Sequence, residues 1–185
     1  MRALDHLAAL PNVDARRLFV TGLSMGGELT TWVGALDTRV KVSVVAGFSP
    51  DLGVLQDKPN NHPCWRWQHG DLREYVDMSD VEALTAPRRL VVETGQNDAS
   101  FSMRQPPFAS DKQVLQRTRL AYGADATQLI HYLHDGEHAW RTALVPPGIR
   151  TPQLQAPKMA GDVDWESDGQ TLLMPVTLLD VLAAP

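Results

Sequence analysis

Residues 16–22, RRLFVTG, form a short, mostly apolar run rich in β-branched and aromatic side chains, and they read as a buried strand. The run passes without a linker into L-S-M-G-G, and ELTTWVGAL then takes up helical spacing, with Leu29, Trp32, Val33 and Leu36 on one side. This junction is the strongest constraint on the fold, because a strand that turns directly into a helix is the opening of a β-α-β unit. The turn has the form G-x-S-x-G. Composition alone makes that pattern common, since three fixed residues, each of a type near 7% of usage, meet by chance in about one chain in twenty of this length. The flanking strand and helix make it informative. They predict a sharp turn that lifts the Ser24 hydroxyl above the sheet. Gly22 and Gly26 are expected to let strand and helix approach each other, and the Met25 N–H is expected at a helix N-terminus, where it can donate to an oxyanion. The competing reading is a serine N-cap on an ordinary strand-helix turn.

The rest of the chain repeats the alternation. MRALDHLAAL at residues 1–10 has helical spacing. VKVSVVAGF (40–48), RRLVVETG (88–95) and TQLIHYLHD (127–135) read as strands. SDVEALTA (79–86) reads as a short helix with Ser79 as N-cap and Pro87 beyond its end, and FASDKQVLQRTRLAYGA (108–124) as a longer one with Gly123 near its C-terminus. Residues 50–78 show no period and read as a long loop over the domain. The expected class is α/β, with a mostly parallel sheet of about four strands and helices on both faces. Two parts are expected: residues 1–145 as the catalytic portion, and 146–185 as a Pro/Gly-rich linker followed by QTLLMPVTLLDVLAAP, a segment apolar almost all round that wants burial.

Composition narrows the function classes. Seventeen Lys and Arg stand against 22 Asp and Glu, for a net charge of −5 with no basic block, so nucleic acid and anionic membranes are not expected partners. No apolar run approaches the ~18 residues a membrane-spanning helix needs, and MRALDHLAAL lacks the apolar core of a signal peptide. The single cysteine, Cys64, cannot form a disulfide within the chain.

A nucleophilic serine needs a base, and the base needs an orienting acid. In parallel sheets such groups gather beyond the carboxyl ends of the strands. QND follows the third strand and supplies Asp98; GEH follows the fourth and supplies His138. The chain order Ser24, Asp98, His138 is the one this type of turn uses. Glu93 within the strand and Asp111 in the next helix are the alternative acids; His134, at the strand end, is the alternative base. His131 reads as a packed strand residue and His6 as an exposed helix residue. His62, Cys64 and His69 in HPCWRWQHG lack an evident fourth ligand, so no metal site is expected. The same stretch carries Trp65 and Trp67, whose faces suit a sugar ring or an acyl group and are candidates for substrate binding.

With these motifs assembled, the chain resembles the α/β-hydrolase superfamily, and within it the dienelactone-hydrolase-like and acetyl xylan esterase-like branch. The likeness rests on residues 1–40 around the serine turn, on VEALTAPRRLVVETGQNDASF before and through the acid, and on DGEHAW as the histidine loop. It covers about residues 1–145. The resemblance implies a partial α/β-hydrolase fold and hydrolysis of carboxylic esters without a cofactor, the substrate being a small-molecule or carbohydrate ester. It implies Ser24 as nucleophile, Asp98 as acid, His138 as base and Met25 as oxyanion donor. It also leans toward a secreted or periplasmic setting.

Two features depart from that pattern. Such proteins have several strands before the serine turn, and one of the loops there supplies a second oxyanion N–H. The tail after residue 146 does not resemble their closing helix. The chain is therefore expected to be the C-terminal portion of a larger hydrolase. Alternative expectations are a serine peptidase of the prolyl-oligopeptidase kind, which shares the serine turn and the order of the three residues, and an inactive hydrolase fragment.

Overall fold

The computed structural model describes residues 2–53, 72–98 and 109–140, and the backbone of 171–172. Its elements are α1 (Arg2–Ala8), β1 (Leu18–Leu23), α2 (Met25–Leu36), β2 (Val40–Ala46), α3 (Met78–Ala83), β3 (Arg89–Gly95), α4 (Ala109–Tyr122), β4 (Leu129–His134) and β5 (Thr171–Leu172). The strands lie side by side in chain order, β1-β2-β3-β4-β5, and every pair is parallel. Four of them are those read from the sequence. The fifth is a two-residue strand inside the segment expected to be tail, and it pairs His131 with Thr171 and Tyr132 with Leu172.

The central strands are buried along nearly their whole length. Val44, Val45, Leu90, Val91, Val92, Leu129 and Leu133 are all within 1% of complete burial, which is why β2 and β3 read as continuous apolar runs rather than as alternation. Each such side chain contributes about 1.5–3 kcal/mol by leaving water. One cluster joins Val45, Leu90, Val92 and Leu129 to Ala35 of α2, Met78 and Val81 of α3, and Val114 and Leu115 of α4. A second, on the alternate side chains of the same strands, joins Val42, Val44, Val91 and Tyr132. Leu4 of α1 packs with Leu18 and Val40 where β1 and β2 begin.

Local signals place most boundaries within two residues. One differs: α3 starts at Met78, and its N-cap is Asp77, not Ser79. Asp77 donates its own N–H to the Asp80 carboxylate at 2.7 Å, and its side chain accepts the Leu52 N–H at 2.8 Å. Ser79 is instead buried in the first turn. Aspartate caps as well as serine does, and this carboxylate also anchors the chain leaving β2, a contact between segments 25 residues apart. Gly123 ends α4 with φ of +47°, the left-handed position that glycine accepts without cost.

Candidate active site

Ser24 stands between β1 and α2 with φ 59° and ψ −118°. It is the one non-glycine with positive φ among the described residues. A side chain held there costs on the order of 1–3 kcal/mol and persists only where the surroundings impose it. The surroundings are visible. Gly22 is so close to the backbone of Gly26 that a Cβ on it would collide with the Gly26 carbonyl, and a Cβ on Gly27 would come within 2.7 Å of the Ala46 oxygen. The sequence pattern points to Gly26 for the second clearance; the structure assigns it to Gly27, while a Cβ on Gly26 itself would meet open space. Ser24 donates its backbone N–H to Ala46 O at 2.9 Å, which ties the turn to the end of β2. Its side chain makes no capping hydrogen bond to the helix, so the hydroxyl is not used as an N-cap. The first i→i−4 bond of α2 runs from Glu28 N–H to Ser24 O, which leaves the Met25 N–H ahead of it at the positive end of the helix.

Asp98 and His138 meet. The Nδ1 of His138 lies 2.6 Å from Asp98 Oδ2, a short contact between a nearly buried carboxylate and a ring about one-quarter exposed. The two loops that carry them are laced together. Gln96 N–H donates to His134 O (2.8 Å), Asn97 N–H to Gly136 O (3.0 Å) and the Asn97 side-chain amide to Asp135 O (2.8 Å). Gly95 permits this, because a Cβ there would strike the carbonyls of Gly136 and Glu137. Gly47 joins this pair to the serine turn. It follows Ala46, the acceptor of the Ser24 N–H, and donates its own N–H to Glu93 O at 2.9 Å. It has φ of +57°, and a Cβ on it would lie 2.8 Å from His138 Cε1 and 3.2 Å from Leu23 Cδ1. The histidine ring therefore rests on the backbone next to the one that holds Ser24.

The other candidates are engaged elsewhere. His131 is buried, with Nε2 3.1 Å from the Thr94 hydroxyl, which donates to Asp111 at 2.7 Å. Burial pushes Asp111 up to about 7, the Thr94 bond opposing it. Glu82 of α3, not considered from the sequence, is likewise raised to about 7 by burial, while Ser49 and Thr118 donate to its two oxygens at 2.7 and 2.9 Å. Glu93 and His134 face each other in the interior, 3.7 Å apart. Trp65 and Trp67 lie outside the described residues, as do His62, Cys64 and His69. Gly47 and Asn97 are the residues sequence reasoning missed; an N-D or A-G-F pair after a strand signals a turn, but not what the turn will touch.

A parallel sheet whose first βα turn strains a serine, with the loops after β3 and β4 converging beside it, is a partial α/β-hydrolase fold. Residues 1–52 match the family described as Acetyl xylan esterase (AXE1). The YtaP protein of Bacillus subtilis (strain 168) is 26% identical over 146 residues, covering 78% of this chain and 48% of its own length. The acetyl esterase Axe7A of Xylanibacter ruminicola is 35% identical over 65 residues, covering 34% of this chain and 15% of its own. Among solved structures, a promiscuous CE15 esterase from the marine bacterial metagenome superposes with a TM-score of 0.60 at 18% identity, over 74% of this chain and 41% of that one. The likeness to the acetyl xylan esterase-like branch that the motifs carried is thus seen in the family model over residues 1–52 and in the acetyl esterase relative, while the solved structure shares the fold. The chain spans about half the length, or less, of the curated relatives it matches.

Proposed function

We propose that this chain carries the nucleophile, acid and base of a serine hydrolase that cleaves carboxylic esters, acetyl esters of carbohydrates foremost, through an acyl-enzyme. The observation that carries the reading is the 2.6 Å contact between His138 Nδ1 and Asp98. With its Nδ1–H given to the carboxylate, a neutral imidazole has its lone pair on Nε2, the form that accepts a proton from a hydroxyl. Ser24 Oγ attacks the ester carbonyl and forms the new C–O bond as His138 takes its proton. Charge gathers on the carbonyl oxygen, which the Met25 N–H receives at the head of α2. The tetrahedral centre collapses, the C–O bond to the alcohol breaks, and His138 returns the proton to that leaving oxygen. Water then repeats the sequence on the acyl-serine. Asp98 holds the ring's tautomer and stabilises the imidazolium throughout.

The acetyl-carbohydrate assignment draws on the acetyl xylan esterase match at residues 1–52 and on the acetyl esterase Axe7A. The test is labelling by a fluorophosphonate together with hydrolysis of p-nitrophenyl acetate and acetylated xylo-oligosaccharides. Wild type is expected to label at Ser24 and Ser24→Ala to lose both label and turnover. An unlabelled, folded wild-type chain would overturn the assignment. Cleavage of proline-containing peptide amides in preference to acetylated sugars would replace the substrate class with that of a peptidase.

A further inference from the structure

His134 lies where the two loops join. Its carbonyl accepts the Gln96 N–H at 2.8 Å, two residues before Asp98, and its ring Nδ1 accepts the Gly136 N–H at 3.1 Å, two residues before His138. The ring is 99% buried beside Tyr132, and its Nε2 faces the fully buried Glu93 carboxylate at 3.7 Å. Because a backbone N–H occupies Nδ1, the neutral ring must carry its proton on Nε2, the atom that the Glu93 carboxylate faces across 3.7 Å, an electrostatic attraction too long for a direct hydrogen bond. The part-buried bond from the Gly136 N–H to Nδ1 contributes about 1 kcal/mol, and the loop it fixes lies so close against Gly95 that no side chain fits there. The same Glu93 accepts, on its backbone carbonyl, the N–H of Gly47, on which the His138 ring rests.

We propose that His134 is a positioning residue for His138: its Nδ1 fixes the turn at Gly136 that delivers the His138 ring to Asp98, and Glu93 holds the His134 ring in the tautomer that lets Nδ1 accept. The proposal deepens the reading of His138 as base and rests on it for its catalytic consequence. Its geometric content stands apart from that reading. The required chemistry is an acceptor two residues before the N–H it binds, which an Asn side chain also supplies in an Asx turn. A Leu fills the volume without an acceptor, and a Gln places its amide farther out, nearer the Nε2 position.

The experiment compares His134→Asn, His134→Gln and His134→Leu with wild type in the full 185-residue chain. One readout is the low-field proton resonance of the His138–Asp98 bond, together with ¹⁵N spectra of the imidazoles. The other is kcat and KM on p-nitrophenyl acetate. Wild type is expected to show His134 protonated on Nε2. His134→Asn is expected to keep the low-field resonance and kcat within about threefold. His134→Gln and His134→Leu are expected to lose the resonance and about 100-fold in kcat, with KM unchanged. Leu performing as well as Asn would overturn the proposal and leave His134 as filler, as would an Nδ1–H tautomer in wild type. If the Leu variant does not fold, the Asn and Gln variants decide the question. His138→Ala that hydrolyses ester as fast as wild type would sink the catalytic reading, while the resonance still tests the positioning.

Discussion

The serine turn and the acid-histidine side of the site are held in place by different means. The turn is closed by missing side chains. Gly22 and Gly27 bring the backbones of β1, α2 and β2 so near that Ser24 takes a positive φ. The acid-histidine side is closed mostly by polar groups. Backbone and amide hydrogen bonds tie residues 96–97 to 134–136, and beneath them Thr94, His131 and Asp111 form a buried chain through the interior. A steric device is local in sequence, works at any pH and fails outright when a methyl group is added. A polar device joins segments far apart in the chain, and its strength depends on which groups are ionised.

The comparison breaks most sharply at Gly22. Gly22→Ala puts a methyl group into the Gly26 carbonyl, with no flexible side chain to give way. A loss of about 3 kcal/mol or more in unfolding free energy by urea titration is expected, equal at pH 5 and pH 8. A variant as stable as wild type would show that the turn is not held by close approach.

The polar side should instead respond to pH. Asp111 is raised in the folded protein from 3.8 to about 7, so between those values the folded state holds a proton that the unfolded chain has lost. Stability then falls as pH rises through that window and levels off above it. Glu82, raised from 4.5 to about 7, acts in the same direction. Asp111→Asn should remove on the order of 2 kcal/mol of the fall between pH 5 and pH 8, read from urea midpoints at each pH. An unchanged slope would mean that Asp111 is ionised in the fold and compensated.

The smallest effect is expected at Asn97→Ala, which deletes only the 2.8 Å bond to Asp135 O. About 1 kcal/mol of local stability should go, seen as roughly fivefold faster amide exchange at residues 134–138 with the global unfolding midpoint almost unmoved. Faster exchange across the whole sheet would show that the lacing is part of the global core rather than a local device.

Much of the serine turn is legible in the amino-acid sequence. A strand, a G-x-S-x-G turn and a helix lie within about twenty consecutive residues, so one window of the chain contains both the cause and the result. The meeting of Asp98 with His138 is legible by position, since the residues just after parallel strands must gather at one end of the sheet. What holds them is not. Asn97 reaches Asp135 across 38 residues, and His131 meets Thr94 across 37. Nothing near either residue in the chain announces that meeting. The cap of α3 escapes a local reading for the same reason: Ser79 satisfies the local rule, but Asp77 also has Leu52 to bind.

The sequence by itself determined the alternation of strands and helices, the place of the serine, and the order of Asp98 and His138 behind it. Those follow from apolar periodicity and from glycines within a few residues of one another. Tertiary structure decided the rest: that Gly27 rather than Gly26 makes room for β2, that His138 rests on Gly47, that Thr171 and Leu172 extend the sheet, and that Glu93 and His134 are buried as a pair. Each of these depends on which strands become neighbours and in what register. That register is set by packing summed over the whole sheet, and no short window of the chain contains it.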